Sequence, residues 1–495
     1  MQKNIMKLPF RRDERKETDM TKAEKSKTVK DFTQGPLLSR IILFSLPLIA
    51  TSILQLLFNT ADTIVVGRWG GETPDECANA LAAVGSCGSL INLLINLFMG
   101  LSLGSGVCVA HAIGAKRYDE VDSIVHTSVI AATVGGIIVT VFGMVMAEPL
   151  LRLMGTEEAV LAQAVPYMRA YFMGMVANMI YNYCAAMLRS TGDTVRPLIF
   201  LSIAGVVNVL LNLVMVLIFH QGARGVGIAT AASHWVSCIL ILIFMMRKEG
   251  PCHLDLKKLR VNLRVLRKIV VIGIPAGIQG SLFSISNVTI QSSVNSLGKI
   301  VVAGNTASAN LEGYIYATQN SIYNAALTFV GQNMGARKFD RIKRTAWGCL
   351  AVVTVIGIAI SGIMFLFKGT LMNLYSPGNT PVIEKGLIRF YIIGLTHFLC
   401  GIMEVGCGCV RGMGKSLAPT LASLLGSCVF RVVWVYTVFP LAPEAMRQQV
   451  LYYCYPISWV VTALVHFIVF FTILKKEKKQ YDLQKQSVHI PTTIA

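Results

Sequence analysis

Long apolar runs separated by short polar connections dominate this chain from about residue 38 to residue 474. A helix needs about 20 apolar residues to cross the hydrocarbon core of a bilayer, and twelve of the runs are long enough. The pattern therefore predicts an all-α polytopic membrane protein with twelve transmembrane helices. The predicted spans are 38–66, 79–110, 123–147, 160–188, 197–219, 225–246, 269–295, 301–333, 345–367, 386–410, 418–440 and 450–474.

The chain also repeats itself at a nearly constant offset. The segment GAKRYD at 114–119 returns as GARKFD at 335–340, and RSTG at 189–192 returns as RGMG at 411–414. These matches predict two six-helix lobes. Because six is even, both lobes enter the membrane in the same direction, so a pseudo-two-fold axis along the membrane normal should relate them. The predicted domains are a basic tail at 1–37, which we expect to be disordered, an N-lobe at 38–246, a linker at 247–268, a C-lobe at 269–474 and a second basic tail at 475–495.

Composition supports the membrane assignment and excludes a nucleic-acid partner. The chain is 54% hydrophobic and 14% charged, against roughly 25% charged in soluble domains. Its net charge of +19 is spread over separate short connections, whereas nucleic-acid binding needs basic residues clustered on one face. Of the 45 Lys and Arg residues, 35 fall in the tails and connections on one side and 7 on the other. The positive-inside rule then makes both termini cytoplasmic, in the plasma (inner) membrane of a bacterium, and we expect a monomer surrounded by lipid bilayer.

One polar stripe in the first span ends in an acid. Ser52, Gln55, Asn59 and Asp62 fall within an arc of about 80° on a helix, and apolar side chains cover the rest of the circumference. A charged group costs about 2.5–3.5 kcal/mol at the centre of a span, so Asp62 should face the protein interior or a water-filled cavity. The repeat pairs position 62 with Ile290. Only the first lobe therefore carries this candidate charge-handling group.

Other spans carry amides and acids that point to a polar cavity. Asn178 and Asn182 lie one helical turn apart in the fourth span, and Asn208 and Asn212 do so in the fifth. A single amide in a membrane is more often an interhelical hydrogen bond than a site, but several helices with such faces favour a shared cavity. Glu404 could serve this cavity or form a structural ion pair with Arg431 or Arg389. The candidate substrate-binding residues are Gln55, Asn178, Asn182, Gln279, Asn287, Glu312 and Glu404.

Two prolines occupy matching interior positions of the first and seventh spans. Pro47 and Pro275 each remove one backbone hydrogen bond, so each should kink its helix or let it bend. A fixed kink would only improve packing. A hinge would let the two lobes rock about a central site, and on that interpretation both prolines are candidate hinge residues.

Together these features resemble the bacterial branch of the multidrug and toxic compound extrusion (MATE) family. The resemblance rests on Asn59-x-x-Asp62 followed by Val-Gly-Arg, on the two repeated inner loops, and on RSTGDTVRP and RGMGKSLAP. It implies export of amphipathic, mainly cationic compounds in exchange for H⁺ or Na⁺. It also gives Asp62 the ion-coupling role, with Asn59, Asn208 and Asn212 as supporting amides. Many members have Asn-x-x-x-Asp where this chain has Asn208-x-x-x-Asn212, and no acid is evident between 269 and 295, which favours H⁺.

Two other function classes remain alternatives. A flippase for a lipid-linked saccharide or another lipid belongs to the same broad superfamily, but its pyrophosphate substrate would call for a markedly cationic cavity. A membrane-embedded enzyme would need a nucleophile with a base or a metal constellation, and the sequence contains no HExxH motif or serine elbow. The twelve cysteines show no zinc-ligand spacing. We therefore expect a transporter with no metal site, no cofactor and no enzymatic activity.

Overall fold

The computed structural model describes residues 29–488, and helices make up most of this range. The helices of the first half are α1 (Leu37–Trp69), α2 (Pro74–Gly114), α3 (Tyr118–Leu153), α4 (Glu158–Phe172), α5 (Met175–Ser190), α6 (Val195–Leu213) and α7 (Gly222–Arg247). Those of the second half are α8 (Leu263–Asn295), α9 (Lys299–Gly335), α10 (Phe339–Leu366), α11 (Lys368–Tyr375), α12 (Thr380–Arg389), α13 (Phe398–Gly412), α14 (Leu417–Ser423), α15 (Phe430–Thr437) and α16 (Arg447–Val488).

These helices build twelve membrane crossings. Ten helical segments of the described chain are long and apolar enough to cross a bilayer on their own. The other two crossings are the α4–α5 pair, which is interrupted at Met173 and Gly174, and α9, which is rich in polar side chains. The predicted all-α fold of twelve transmembrane helices in two lobes is confirmed.

The two lobes repeat each other in backbone detail as well as in sequence. Lys116 and Arg337 both adopt the left-handed conformation, with φ values of 56° and 57°, which is uncommon for residues other than glycine. The fourth crossing of each half is broken, at 173–174 and at 390–397. The fifth crossing of each half contains a π-helical turn, at Val214–Ile218 and at Leu424–Val429. The lobes are therefore structural duplicates.

Close helix crossings join the two lobes. Helix α2 of the N-lobe packs on α8 of the C-lobe through glycines, and a Cβ atom on Gly100 would lie 2.3 Å from the backbone nitrogen of Gly277. Farther along α2, Gly114 meets α9 on the face of the molecule where the most basic connections lie, which we call the basic face. A Cβ atom on Gly114 would lie 1.8 Å from the carbonyl oxygen of Gln332. The lobes are thus in backbone contact at the basic face.

Residues 30–35, which we call the latch, bind both lobes at the basic face. The backbone N–H of Lys30 donates to the carbonyl oxygen of Thr191 in the N-lobe at 3.0 Å. The ring of Phe32 stacks on Phe329 of the C-lobe with the centroids 4.0 Å apart, and Arg341 donates to three latch carbonyl oxygens at 2.8–3.0 Å. The sequence predicted a disordered tail over 1–37, whereas its described part is bound from residue 30.

The predicted basic tail at 475–495 begins as a continuation of the last helix. Helix α16 continues to Val488, so residues 475–488 are helical. Lys478 of this extension reaches Asp340 at 3.2 Å. The remainder of both predicted tails lies outside the described residues.

Candidate functional site

A cavity of about 810 Å³ lies between the two lobes. It is bounded by the polar faces of α1, α2 and α5 from the N-lobe and by helices of the C-lobe from α8 to α16. Six of the residues predicted to bind substrate line it: Gln55, Asn182, Gln279, Asn287, Glu312 and Glu404. Amides that belonged to no predicted site also line it: Asn96, Gln291, Asn305, Asn320 and Asn324.

Asp62 lies in a separate polar cluster inside the N-lobe. The side-chain amide of Asn212 on α6 donates one hydrogen bond to the carboxylate of Asp62 on α1 and a second to Oδ1 of Asn208 at 3.3 Å. Asn208 in turn donates to the hydroxyl of Thr230 on α7 at 3.4 Å. Asn208 and Asn212 are buried, Asp62 is partly buried, and none of the three lines the large cavity.

Asn212 also carries an orphan acceptor. Its Oδ1 atom is buried and has no hydrogen-bond partner in the described structure. An unpaired buried polar atom is costly, so its presence calls for an explanation such as a functional role. If Asp62 gains a proton, its new O–H donor could pair with this oxygen after rotation of the amide.

Two predicted residues lie outside both sites. Asn59 is exposed on α1 and forms no hydrogen bond within the described chain. Of the amides expected to support Asp62, only Asn212 is hydrogen-bonded to it. The side chain of Asn178 accepts a hydrogen bond from Asn182 at 2.8 Å and is not part of the cavity wall. It orients Asn182, which does line the cavity.

Glu312 is neutralised by an arginine. Its two oxygens accept from Nε and Nη2 of Arg389 at 2.9 and 2.7 Å, and both side chains are buried. Asn305 accepts from Nη1 of the same arginine at 2.7 Å and from the hydroxyl of Tyr452 at 3.1 Å. The pair is therefore a satisfied, two-pronged ion pair, a geometry that fixes the cavity wall and leaves Glu312 little capacity for a ligand.

Glu404 forms neither of the ion pairs considered from the sequence. It lines the cavity, is partly buried, and accepts no hydrogen bond and forms no salt bridge within the described part of the chain. Gln279 accepts from Nη2 of Arg411 at 2.8 Å, and the hydroxyl of Tyr323 accepts from Nη1 at 2.9 Å. Glu404 is thus a carboxylate with free acceptor capacity, whereas Gln279 is engaged.

The sequence reasoning missed the positive balance of the cavity. Its wall contains four arginines, Arg189, Arg389, Arg411 and Arg431, against the two glutamates. It also missed an aromatic surface, because Arg431 lies over the ring of Tyr455 at 4.3 Å and over that of Trp459 at 5.9 Å. The sequence does place Arg389 and Arg431 inside two apolar spans. Their partners could not be identified from it, because those partners lie on other helices.

Both candidate hinge prolines lie inside helices that reach the cavity. Pro47 lies within α1, and its carbonyl oxygen accepts from the hydroxyl of Thr51 at 2.7 Å. Pro275 lies within α8, and its carbonyl oxygen accepts from the hydroxyl of Thr420 at 3.1 Å. These bonds engage the carbonyl of each proline itself, whereas the carbonyls that lose a partner through the missing N–H are those of Leu43 and Val271, four residues earlier.

Comparison with known proteins finds one family model, described as MatE, that matches residues 47–214 and 275–437. The chain is 27% identical over 391 residues to the probable multidrug resistance protein YoeA of Bacillus subtilis, covering 77% of this chain and 82% of the relative. It is 25% identical over 394 residues to the probable multidrug resistance protein NorM of Thermotoga maritima, covering 78% of this chain and 82% of the relative.

Solved structures share the fold. An outward-facing conformation of a multidrug resistance MATE family transporter of the MOP superfamily superposes with a TM-score of 0.84 at 20% identity, over 91% of this chain and 99% of that structure. A MATE crystal structure in the bent conformation gives a TM-score of 0.82 at 20% identity, over 92% of this chain and 99% of that structure. At such identities the likeness concerns the fold.

Proposed function

The chain belongs to the MatE family, and from this premise we propose that it is a secondary antiporter that exports amphipathic, mainly cationic small molecules in exchange for H⁺ or Na⁺. Membership makes it a multi-pass membrane transporter of the multidrug efflux type and not an enzyme. Our proposal adds the coupling ion, alternating access of the cavity to the two sides, cytoplasmic termini in a bacterial plasma membrane, and a monomeric state.

One observation carries the proposal: Asp62 and the cavity-lining Gln55 share helix α1. They are seven positions apart, which is about 10 Å along a helix. A change in the charge of Asp62 alters its hydrogen bonding to Asn212, and a shift of α1 would carry this change to the cavity wall. Pro47 in the same helix provides a place where α1 can bend.

The cavity also has features that suit a cationic substrate. Glu404 offers a carboxylate that no described residue neutralises by a salt bridge, and the ring of Tyr316 lines the same space. Aromatic faces attract cations, and a carboxylate would orient an ammonium group. For the coupling ion we favour H⁺, because Asp62 contacts a neutral amide and the seventh crossing, α8, contains no acid.

Transport in everted vesicles, whose cytoplasmic face is turned outward, tests the proposal. Accumulation of cationic dyes in the lumen reports efflux, with a pH gradient and a Na⁺ gradient imposed separately, for the parent chain and for Asp62→Asn at equal insertion. We expect efflux driven by the pH gradient in the parent and none in Asp62→Asn. The exposed Asp75→Asn at the start of α2 is the matched control and should retain efflux. Undiminished gradient-driven efflux in Asp62→Asn would refute the role of Asp62.

A flippase for a lipid-linked saccharide or another lipid is a second candidate, and the four arginines of the cavity wall favour it. Phosphate-bearing lipids require positive charge in the cavity. The two candidates separate in reconstituted liposomes: a flippase would move a fluorescent phospholipid or polyprenyl phosphate between leaflets without transporting cationic dyes. The antiporter would do the reverse.

A further inference from the structure

Arg431 is a buried cation without an acidic partner. Only 3% of its surface is exposed, and its Nε atom donates to the hydroxyl of Ser458 at 3.0 Å. No carboxylate of the described residues forms a salt bridge with it, in contrast to Arg389, which Glu312 neutralises. Burying an unpaired charge costs free energy. Arg431 nevertheless carries a charge that no described acidic residue balances.

The guanidinium of Arg431 faces the cavity. Arg431, Tyr455 and Trp459 all belong to the cavity wall. Stacking on the two rings orients the guanidinium but leaves its charge in place. The terminal nitrogens Nη1 and Nη2 form no hydrogen bond to a described residue and are not sealed in the protein interior. Two donors in a planar fork are therefore available to a ligand, which is the geometry that binds a carboxylate or phosphate oxygen pair.

The backbone next to Arg431 is unusual as well. The π-helical turn at Leu424–Val429 ends where α15 begins at Phe430. Such turns are rare, and they occur frequently at functional sites. Since Ser458 on α16 holds Nε, two elements determine where the guanidinium points.

We propose that Arg431, Tyr455 and Trp459 form a subsite for an anionic group carried by an amphipathic aromatic small molecule. This inference rests on the proposed function in so far as the cavity is the substrate cavity. The aromatic rings take the apolar part of the substrate, and Arg431 takes its anionic group. Glu404 occupies a different position in the same wall, so the subsite extends the substrate range from amphipathic cations to amphipathic aromatic acids.

Binding to the purified protein in detergent, without any ion gradient, tests the subsite. The probes are pyrenebutyric acid, its uncharged methyl ester and a pyrenebutyl trimethylammonium salt, all followed by fluorescence. We expect the parent chain to bind the acid about tenfold more tightly than the ester, as a charge-assisted contact would give. Arg431→Gln should lose this preference and keep its affinity for the ester. Arg431→Lys, which keeps the charge but not the planar fork, should keep part of the preference.

Three outcomes would overturn the inference. Equal affinity of the parent for acid and ester would show that no anionic subsite exists. An equal loss of acid and ester binding in Arg431→Gln would make Arg431 a packing residue only. If anionic phospholipid in nanodiscs displaces the acid while zwitterionic lipid does not, the subsite holds a lipid headgroup and not a small molecule.

The result is independent of the coupling mechanism. Because no gradient is present, the exposed control Asp75→Asn, which lies outside both polar sites, should bind the acid like the parent. Failure of acid binding with intact, Asp62-dependent dye efflux would count against the subsite alone. If the acid binds but Asp62→Asn shows the same dye efflux as the parent, the result would count against the proposed coupling alone.

Discussion

Gly114 and Gly335, which the internal repeat pairs, each lie against the backbone of the other's helix at the basic face. A Cβ atom on Gly114 would lie 1.8 Å from the carbonyl oxygen of Gln332, and one on Gly335 would lie 2.1 Å from the carbonyl oxygen of His111. The side chain of His111 adds a 2.7 Å hydrogen bond to the carbonyl oxygen of Gly412. The two lobes close this face with symmetry-related backbone contacts that only glycine permits.

Gly335→Ala should open the basic face. The added methyl group cannot fit against the α2 backbone, so the ends of α2 and α9 must separate. We expect a longer distance between spin labels placed at Glu120 and Lys415, measured by pulsed electron paramagnetic resonance. Gly362→Ala is the control, because a Cβ atom there meets open space. An unchanged distance in Gly335→Ala would contradict the role of this contact.

Phe32→Ala should release the latch. The ring is 3% exposed and packs on Phe329 and Phe44, and loss of a buried phenylalanine side chain costs about 3–5 kcal/mol when nothing refills the space. We expect a lower thermal unfolding temperature in detergent together with greater reagent access at the basic face. Phe367→Ala makes the same change at a phenylalanine that is 58% exposed, and it should change neither. Parent-like stability of Phe32→Ala would show that the latch contributes little.

Asp31 should make the latch sensitive to acid. Partial burial raises the pKa of this carboxyl, but hydrogen bonds from the side chain and backbone N–H of Thr33, together with the charges of Lys338 and Lys116, hold the pKa below its usual 3.8. A depressed folded-state pKa adds stability above the unfolded value and loses it as the pH falls through the folded value. Asp31→Asn should therefore unfold at a lower temperature than the parent at neutral pH. This difference should shrink below pH 3.8, and a difference that is constant with pH would contradict the assignment.

Glu312→Gln should destabilise the C-lobe strongly. It leaves Arg389 as a buried charge without compensation, and breaking such pairs costs about 3–5 kcal/mol. We expect a clear fall in the thermal unfolding temperature of the purified protein. The double variant Glu312→Leu with Arg389→Met removes both charges and should recover most of the loss. If the single variant were as stable as the parent, the ion pair would not support the cavity wall.

Asn212→Leu should impair coupled efflux, and Asn59→Leu should not. Asn212 donates to Asp62 from a buried position, whereas Asn59 is exposed and bonded to no described residue. Loss of one hydrogen bond to a charged group is worth about 1.5–3 kcal/mol, so pH-driven dye efflux should fall about tenfold or more. Equal effects of the two substitutions would contradict the separate Asp62 cluster.

Much of the fold could be predicted because the lengths of the apolar runs and the internal repeat can be read from the sequence alone. The matching loops 114–119 and 335–340 predicted the duplication, and the equal backbone conformations at Lys116 and Arg337 reproduce it. The interruptions at 173–174 and 390–397 could not be predicted, because both lie within apolar runs. The binding of residues 30–35 was missed as well, since its hydrogen-bond partners lie up to about 300 positions away in the sequence.

The candidate site was predictable where one helix determines the geometry. The spacing of Asn208 and Asn212 placed both amides on one face of α6, and Asp62 is bonded to that face. The partner of Arg389 was not predictable, because Glu312 and Glu404 are both acids inside apolar spans and only the depth and rotation of α9 and α13 select between them. The same limit hid the unpaired Arg431, since the absence of a partner is visible only after every helix is packed.

The latch links the start of the described chain to both lobes, although none of its residues lines the cavity. Six residues outside any helix bind both lobes, so any motion that parts the lobes at this face must first detach them. Under the alternating access proposed above, the strength of this attachment would limit how often the lobes part at this face, although the segment touches neither the cavity nor Asp62. The emission of a fluorophore placed beside Phe32 would change with each detachment. The rate of detachment could therefore be measured at a site remote from the bound substrate.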